Sequence, residues 1–126
     1  MARRTIRRTG VAVDDVARAL LTDPDPEIQT RAIRLLDEYE DPKVIPSYLD
    51  MLKNDPNVDV RREAANALNL FVDLGELEEI PESIYRQVED ALLASITGND
   101  DVRVRRTALE SLGYSSRPEV ATLIES

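Results

Sequence analysis

The chain has 126 residues, enough for one domain with a modest core, and 42% of them are hydrophobic and 33% charged. It contains no Cys and no His, which excludes disulfides, thiol nucleophiles, Cys-based zinc sites and histidine bases. Its net charge is −9, and no apolar run approaches the roughly 18 residues of a membrane span. We therefore expect a helix-rich cytoplasmic protein without a membrane segment, whose acidity disfavours nucleic acid and favours a basic partner.

A basic arm comes first in the chain. Residues 1–12 begin with MARRTIRRTG, which holds four arginines and no acidic residue. Asp14 and Asp15 follow where a secretory signal needs an unbroken apolar stretch, so we interpret 1–12 as a flexible, solvated arm. The remainder, 13–126, is predicted to form one helical domain that opens with a lone helix over 13–22.

Three copies of one twelve-residue segment follow. They read DPEIQTRAIRLL, NVDVRREAANAL and DVRVRRTALESL, and they align without a gap. Apolar residues recur at i, i+4 and i+8 in each copy, which marks one stripe along a helix. The middle position of the stripe is alanine every time, at Ala32, Ala64 and Ala108, so we expect a neighbouring helix to approach closely there. Each copy begins with Asp or Asn, which are favoured N-cap residues.

A second helix is predicted after each copy. An Asp-Pro pair opens the one over 41–54, and Pro46 either kinks that helix or delays its regular start. The next covers 80–98, and a third starts at Pro118 and is cut short. This division gives three repeats, the last truncated, over about 23–54, 55–98 and 99–126.

The middle repeat is longer than the first. The additional residues fall in FVDLGELEEIPES, 71–83, which is rich in acidic residues and has no basic one. We expect an extension of the first helix followed by an acidic loop. A solvated loop without a role and an insertion that carries binding both remain open.

The segments DPNVDVRREAANAL, DPKVIP and NDDVRVRRTALESL resemble HEAT repeats of the short bacterial kind, also called HEAT-like or phycobilisome-lyase-type repeats. The resemblance covers about 23–126 and implies an all-α fold, a right-handed α-solenoid of antiparallel helix pairs. It also implies that the arginine after the valine pairs with acidic residues of adjoining repeats. Arg61 and Arg105 occupy that position, whereas Gln29 replaces it in the first copy and interrupts a charge ladder.

No catalytic, cofactor-binding or metal-binding constellation is predicted. Glu89 and Asp90 are neighbours that point about 100° apart on a helix, so their spacing does not make an acid–base pair. The loops NDPNVD and TGNDDVR offer oxygen ligands without the twelve-residue calcium spacing, which favours capped turns. The arginine pairs at 61–62 and 105–106 stand among acidic residues, which favours salt-bridged helix surface over a nucleic-acid site.

The resemblance implies a non-enzymatic protein-interaction or scaffold module. In this family the second helices tend to line the concave face, and that face is mixed to acidic here, which suits a basic or mixed-charge protein partner. The candidate partner-binding residues are Ser47, Asp50, Lys53, Arg86, Gln87, Glu89 and Asp90.

Two other functions remain open. The chain could be a segment of a HEAT-like enzyme, of the DNA glycosylase type or the bilin lyase type, or a purely structural part of a longer scaffold. The apolar face of the last predicted helix further suggests self-association or additional repeats at the C-terminal end.

Overall fold

The computed structural model describes residues 19–38, 40–113 and 115, and all regular secondary structure in those ranges is helical. A short 3₁₀ turn, Pro42–Val44, stands before the second helix. The α-helices, numbered in chain order, are α1 Pro26–Leu36, α2 Ile45–Asn54, α3 Val58–Ala67, α4 Asn69–Glu76, α5 Glu82–Thr97 and α6 Val102–Leu112. The predicted arm, most of the lone helix over 13–22 and the helix predicted from Pro118 lie outside the described residues.

Short polar side chains start the three first helices. Asp25, Asn57 and Asp101 each precede a helix, and each accepts a hydrogen bond from a main-chain N–H of the first turn. The predicted N-caps are therefore confirmed. Each cap satisfies a donor that a helix start otherwise leaves without a partner, which is worth about 1 kcal/mol.

Pro46 delays α2 and does not kink it. Asp41 accepts from the N–H of Lys43 and caps the 3₁₀ turn, and the regular α-helix begins only at Ile45. Pro46 then lies in the first turn of α2, where its missing N–H has no partner to lose.

The helices pack in two layers. The first helices of the pairs, α1, α3 and α6, lie side by side, with α3 in contact with both of the others. The second helices α2 and α5 contact each other and form the other layer, and each packs against the first helix that follows it in the chain. This stacking of helix pairs is the arrangement of an α-solenoid, whereas its handedness stays a prediction.

The alanine stripe lies inside the first layer. Ala32 is 2% exposed, and Ala64 and Ala108 are fully buried. Nearby, the hydroxyl of Ser111 on α6 donates to the main-chain carbonyl of Ala65 on α3 at 2.7 Å. So short a side chain reaches the main chain of another helix only if the two backbones approach closely, which small residues permit.

The insertion is mostly packed. Leu68 joins α3 directly to α4, and α4 contacts both α5 and α6. Leu74 and Ile80 are buried, whereas residues 77–79 are exposed and Glu78 has a positive φ of 59°. The segment is thus a helical extension followed by a short acidic loop, as predicted, and the extension packs one of its sides into the core.

Candidate functional site

The solvent side of α2 and α5, called here the second-helix face, carries most of the predicted partner-binding residues. Ser47 on α2 is half-buried. Five members of the predicted set are exposed, namely Asp50, Lys53, Arg86, Gln87 and Asp90. The contact between α2 and α5 places the two groups on neighbouring helices. Arg86 also forms an exposed ion pair with Glu82 one turn earlier, at 3.3 Å, which contributes little to stability.

Glu89 does not belong to this face. Its side chain is 5% exposed, and the hydroxyl of Ser115, after α6, donates to its carboxylate. Glu89 lies one turn after Tyr85 and one turn before Leu92, and both of these residues are buried. The helical turn of about 100° per residue then turns Asp90 out to solvent. The expectation that Glu89 faces a partner is wrong.

A second group of side chains lies where consecutive repeats meet. The guanidinium of Arg61 donates from Nε to both carboxylate oxygens of Asp100 at 3.1 Å, and from one terminal nitrogen to the same carboxylate at 2.9 Å. Its other terminal nitrogen donates to the main-chain carbonyl of Asp55 at 2.7 Å. Arg61 and Asp100 are both only 17% exposed. This side chain therefore joins the loop before its own helix to the loop before the next first helix.

The equivalent residues in the other copies make related contacts. The amide nitrogen of Gln29 donates to the carbonyl of Leu21 at 3.0 Å and to the carboxylate of Asp55 at 2.9 Å. Arg105 donates from Nε to the carbonyl of Ile96 at 3.0 Å and is exposed. Gln29 therefore joins the loop before its own helix to the loop before the next first helix, as Arg61 does one repeat later, and it makes this connection without a positive charge.

The acidic residues around the arginine pairs are engaged. Glu63 accepts from Arg34 at 3.2 Å across α1 and α3, and Asp59 lies 4.0 Å from Arg103 across α3 and α6. Arg103 also donates to Asp101, and this hydrogen bond holds the pKa of the Asp101 carboxyl below its usual range. These pairs agree with a salt-bridged helix surface.

One cavity opens beside the second-helix face. Its volume is about 270 Å³, and one wall is a single side of α2 made by Ser47, Asp50, Met51 and Asn54. The other lining residues include Leu21, Asp55 and Pro56 from the loops before α1 and α3, and Gln29 from α1 itself. We call it the α2 cavity. Of the lining residues, the sequence predicted Ser47 and Asp50 as partner-binding residues. It did not predict the loop residues, although the Asp-Pro pairs in both loops mark turns that could have been considered.

Two further cavities lie beside α4. One of about 430 Å³ is lined by Asp37, Asn66, Asn69, Leu70 and Asp73. The other, of about 420 Å³, includes the carboxylate-bearing residues Glu76, Glu78 and Glu82 beside Gly75, Ile80 and Tyr85. In the second, the Tyr85 hydroxyl donates to the Glu76 carboxylate, and burial together with this hydrogen bond raises the pKa of Tyr85 well above its usual value.

The stacked pairs and the side chains that join their loops define a helical-repeat protein. A family model of HEAT repeats matches residues 13–86, more than half of the chain, and the chain belongs to that family. HEAT repeats commonly mediate protein–protein interaction or scaffolding, and the family is generally non-catalytic. No curated protein and no solved structure matches the chain significantly. Within the described residues no helix is long and apolar enough to cross a membrane.

Proposed function

We propose that this chain is a non-enzymatic protein-binding module that contacts its partner through the second-helix face. The observation that supports the proposal is the contact between α2 and α5, because these neighbouring helices carry the exposed residues Asp50, Lys53, Gln87 and Asp90. On the same two helices Tyr48 and Val88 are buried in the core, so each helix packs through one side and presents a polar side to solvent.

The chemistry of the face favours a basic or mixed-charge protein segment. Asp50 and Asp90 offer acceptors, and Lys53 and Arg86 add positive charge beside them. The chain as a whole carries −9, which speeds the approach of a basic partner and repels nucleic acid. We further propose that the repeats extend over 13–126 and that residues 1–12 form an arm outside them.

The experiment first selects peptides that bind the chain and then measures how substitutions on the second-helix face change their affinity. A random peptide library displayed on phage is panned against the immobilised chain, and the enriched peptides are synthesised and titrated by fluorescence anisotropy. The variant Asp50→Lys/Asp90→Lys replaces two negative charges of the second-helix face with two positive ones. The control Asp59→Lys/Glu110→Lys makes the same charge change on exposed positions of α3 and α6.

The face variant should weaken binding of the selected peptides by about tenfold or more, since like charges across an interface are repulsive. The control should change binding by less than about threefold, the part attributable to net charge. Circular dichroism checks that both variants keep the helical content. The proposal fails if no peptide is enriched, or if both variants weaken binding equally.

A further inference from the structure

We infer that the α2 cavity accepts a single basic side chain, a Lys or Arg of the partner segment; this rests on the proposed function and names the chemistry of its anchor. The cavity holds about 270 Å³. Pockets for drug-sized ligands span about 300–1,000 Å³, so this one is suited to one long side chain and not to a cofactor.

The side-chain amide of Gln29, which lines the cavity, is oriented by its neighbours. Gln29 is 9% exposed, and its side-chain nitrogen donates both to the carbonyl of Leu21 and to the carboxylate of Asp55. A carbonyl and a carboxylate can only accept hydrogen bonds, so the amide must turn its nitrogen towards them and its oxygen away from them. Among the described residues no donor reaches the Gln29 oxygen, which leaves an oriented acceptor in the cavity wall.

The charge of the cavity is negative. Asp50 and Asp55 line it, and none of its lining residues is basic. Asp50 is held by the side-chain amide of Asn54 at 2.7 Å, and Asp55 is held by the main-chain N–H of Asn57 at 2.9 Å. Hydrogen bonds of this kind fix the carboxylates before a ligand arrives, which lowers the entropy lost on binding. The C-terminus of α2, which ends at Asn54, adds a partial negative charge.

Apolar residues complete the cavity and indicate a long aliphatic stem. Leu21 is 2% and Met51 6% exposed, and Pro56 lies at the rim. Lys and Arg pack their methylene groups on such a surface while the charged end reaches the acceptors. A divalent cation would use the oxygens alone, and the described residues hold no group of three or more His, Cys, Asp or Glu side chains that could bind one.

The test titrates small probes into the ¹⁵N-labelled full chain. Nα-acetyl-lysine methylamide and Nα-acetyl-arginine methylamide are the basic probes, and Nα-acetyl-norleucine methylamide matches the stem without the charge. The reporters are the side-chain amide signals of Gln29 and Asn54, which lie in the cavity wall. The variant is Asp50→Asn, an exposed position that keeps its shape, and Asp73→Asn, in the cavity beside α4, is the matched control.

We expect saturable shifts of both reporters with the basic probes and weak, non-saturating shifts with norleucine. Asp50→Asn should weaken the basic probes by about threefold to tenfold, because a charge-assisted contact at a part-exposed position is lost. Asp73→Asn should leave their affinity unchanged.

Several results would overturn the inference. One is equal affinity for the norleucine and lysine probes, and another is an affinity for the basic probes that Asp50→Asn leaves unchanged. A third is a larger shift of the reporter signals with calcium chloride than with the lysine probe. Binding that appears only after deletion of residues 1–10 would assign the cavity to the chain's own arm and also contradict a partner side chain. If the probes fail while Asp50→Lys/Asp90→Lys still blocks the selected peptides, the inference is wrong and the proposed function stands.

Discussion

Single residues join the repeats of this chain through one recurring position. Gln29 and Arg61 each reach back to the end of the preceding helix and forward to the loop before the next first helix. Arg105 makes the backward contact, to Ile96. What the position requires is a long side chain with several donors, so an amide serves in the first copy and a guanidinium in the second.

The Arg61 bridge should contribute more to stability than the equivalent Arg105. Arg61→Ala removes the donor to the Asp55 carbonyl and leaves the part-buried Asp100 carboxylate with the main-chain N–H of Asp101 but no guanidinium, which should cost about 2–3 kcal/mol. Arg105→Ala removes one exposed hydrogen bond and should cost less than about 1 kcal/mol. Urea unfolding at pH 7, followed by circular dichroism, measures both. Equal losses would show that the bridge to Asp100 adds nothing to folding.

Tyr85 makes stability depend on alkaline pH. Burial and the hydrogen bond to Glu76 raise its pKa in the folded state, so the folded chain keeps a proton that the unfolded chain releases near pH 10. The contribution is fully present below the unfolded pKa and is lost as pH rises towards the folded one. Unfolding midpoints in urea should therefore fall above about pH 10. Tyr85→Phe should flatten this dependence, and an unchanged slope in that variant would contradict the assignment.

At the scale of helices, α4 depends on a glycine. A Cβ built on Gly75 would overlap the ring of Tyr85, which packs across it from α5. Alanine favours a helix by about 1 kcal/mol over glycine, so the overlap decides the sign of the change.

Gly75→Ala should destabilise the chain by about 1–3 kcal/mol, because the Tyr85 ring must move. In a Tyr85→Ala background the same substitution should be neutral or stabilising, since only the helix propensity remains. Thermal and urea unfolding of the unmodified chain, the two single variants and the double variant gives the coupling between the two positions. A loss that persists without the ring would place its cause elsewhere.

The helices themselves were largely predictable from local patterns, whereas the cavity was not. The i, i+4, i+8 stripe and the Asp or Asn before it indicate three helices because both signals are encoded within twelve consecutive residues. The α2 cavity instead joins Gln29 to Asp55, 26 positions apart, and that pairing depends on how two loops stack. The partner of Glu89 was not predictable for a related reason, because the hydroxyl that donates to its carboxylate belongs to Ser115, 26 positions away in the chain.

At the scale of the whole molecule, stability comes from contacts between neighbouring pairs. The helix α3 lies between α1 and α6 and also packs against α2, so it is the element that most others share. In such a stack each repeat contacts its neighbours, and damage at a shared element weakens all of the adjoining interfaces.

The alanine stripe provides the test of this stacking. Ala64 is fully buried in the centre of α3, the helix that contacts both α1 and α6. Ala64→Leu adds three carbons without a place to put them, and we expect a loss of about 1–3 kcal/mol through overpacking. Ala94→Leu, at an exposed position of α5, makes the same change in solvent and should shift stability by less than about 0.5 kcal/mol. Unfolding in urea, with amide exchange across α1 and α6, should show protection lost on both sides of α3. If Ala64→Leu and Ala94→Leu unfold at the same urea concentration, the packing of α1, α3 and α6 does not depend on a small side chain at position 64. The close stacking of the pairs would then need another cause.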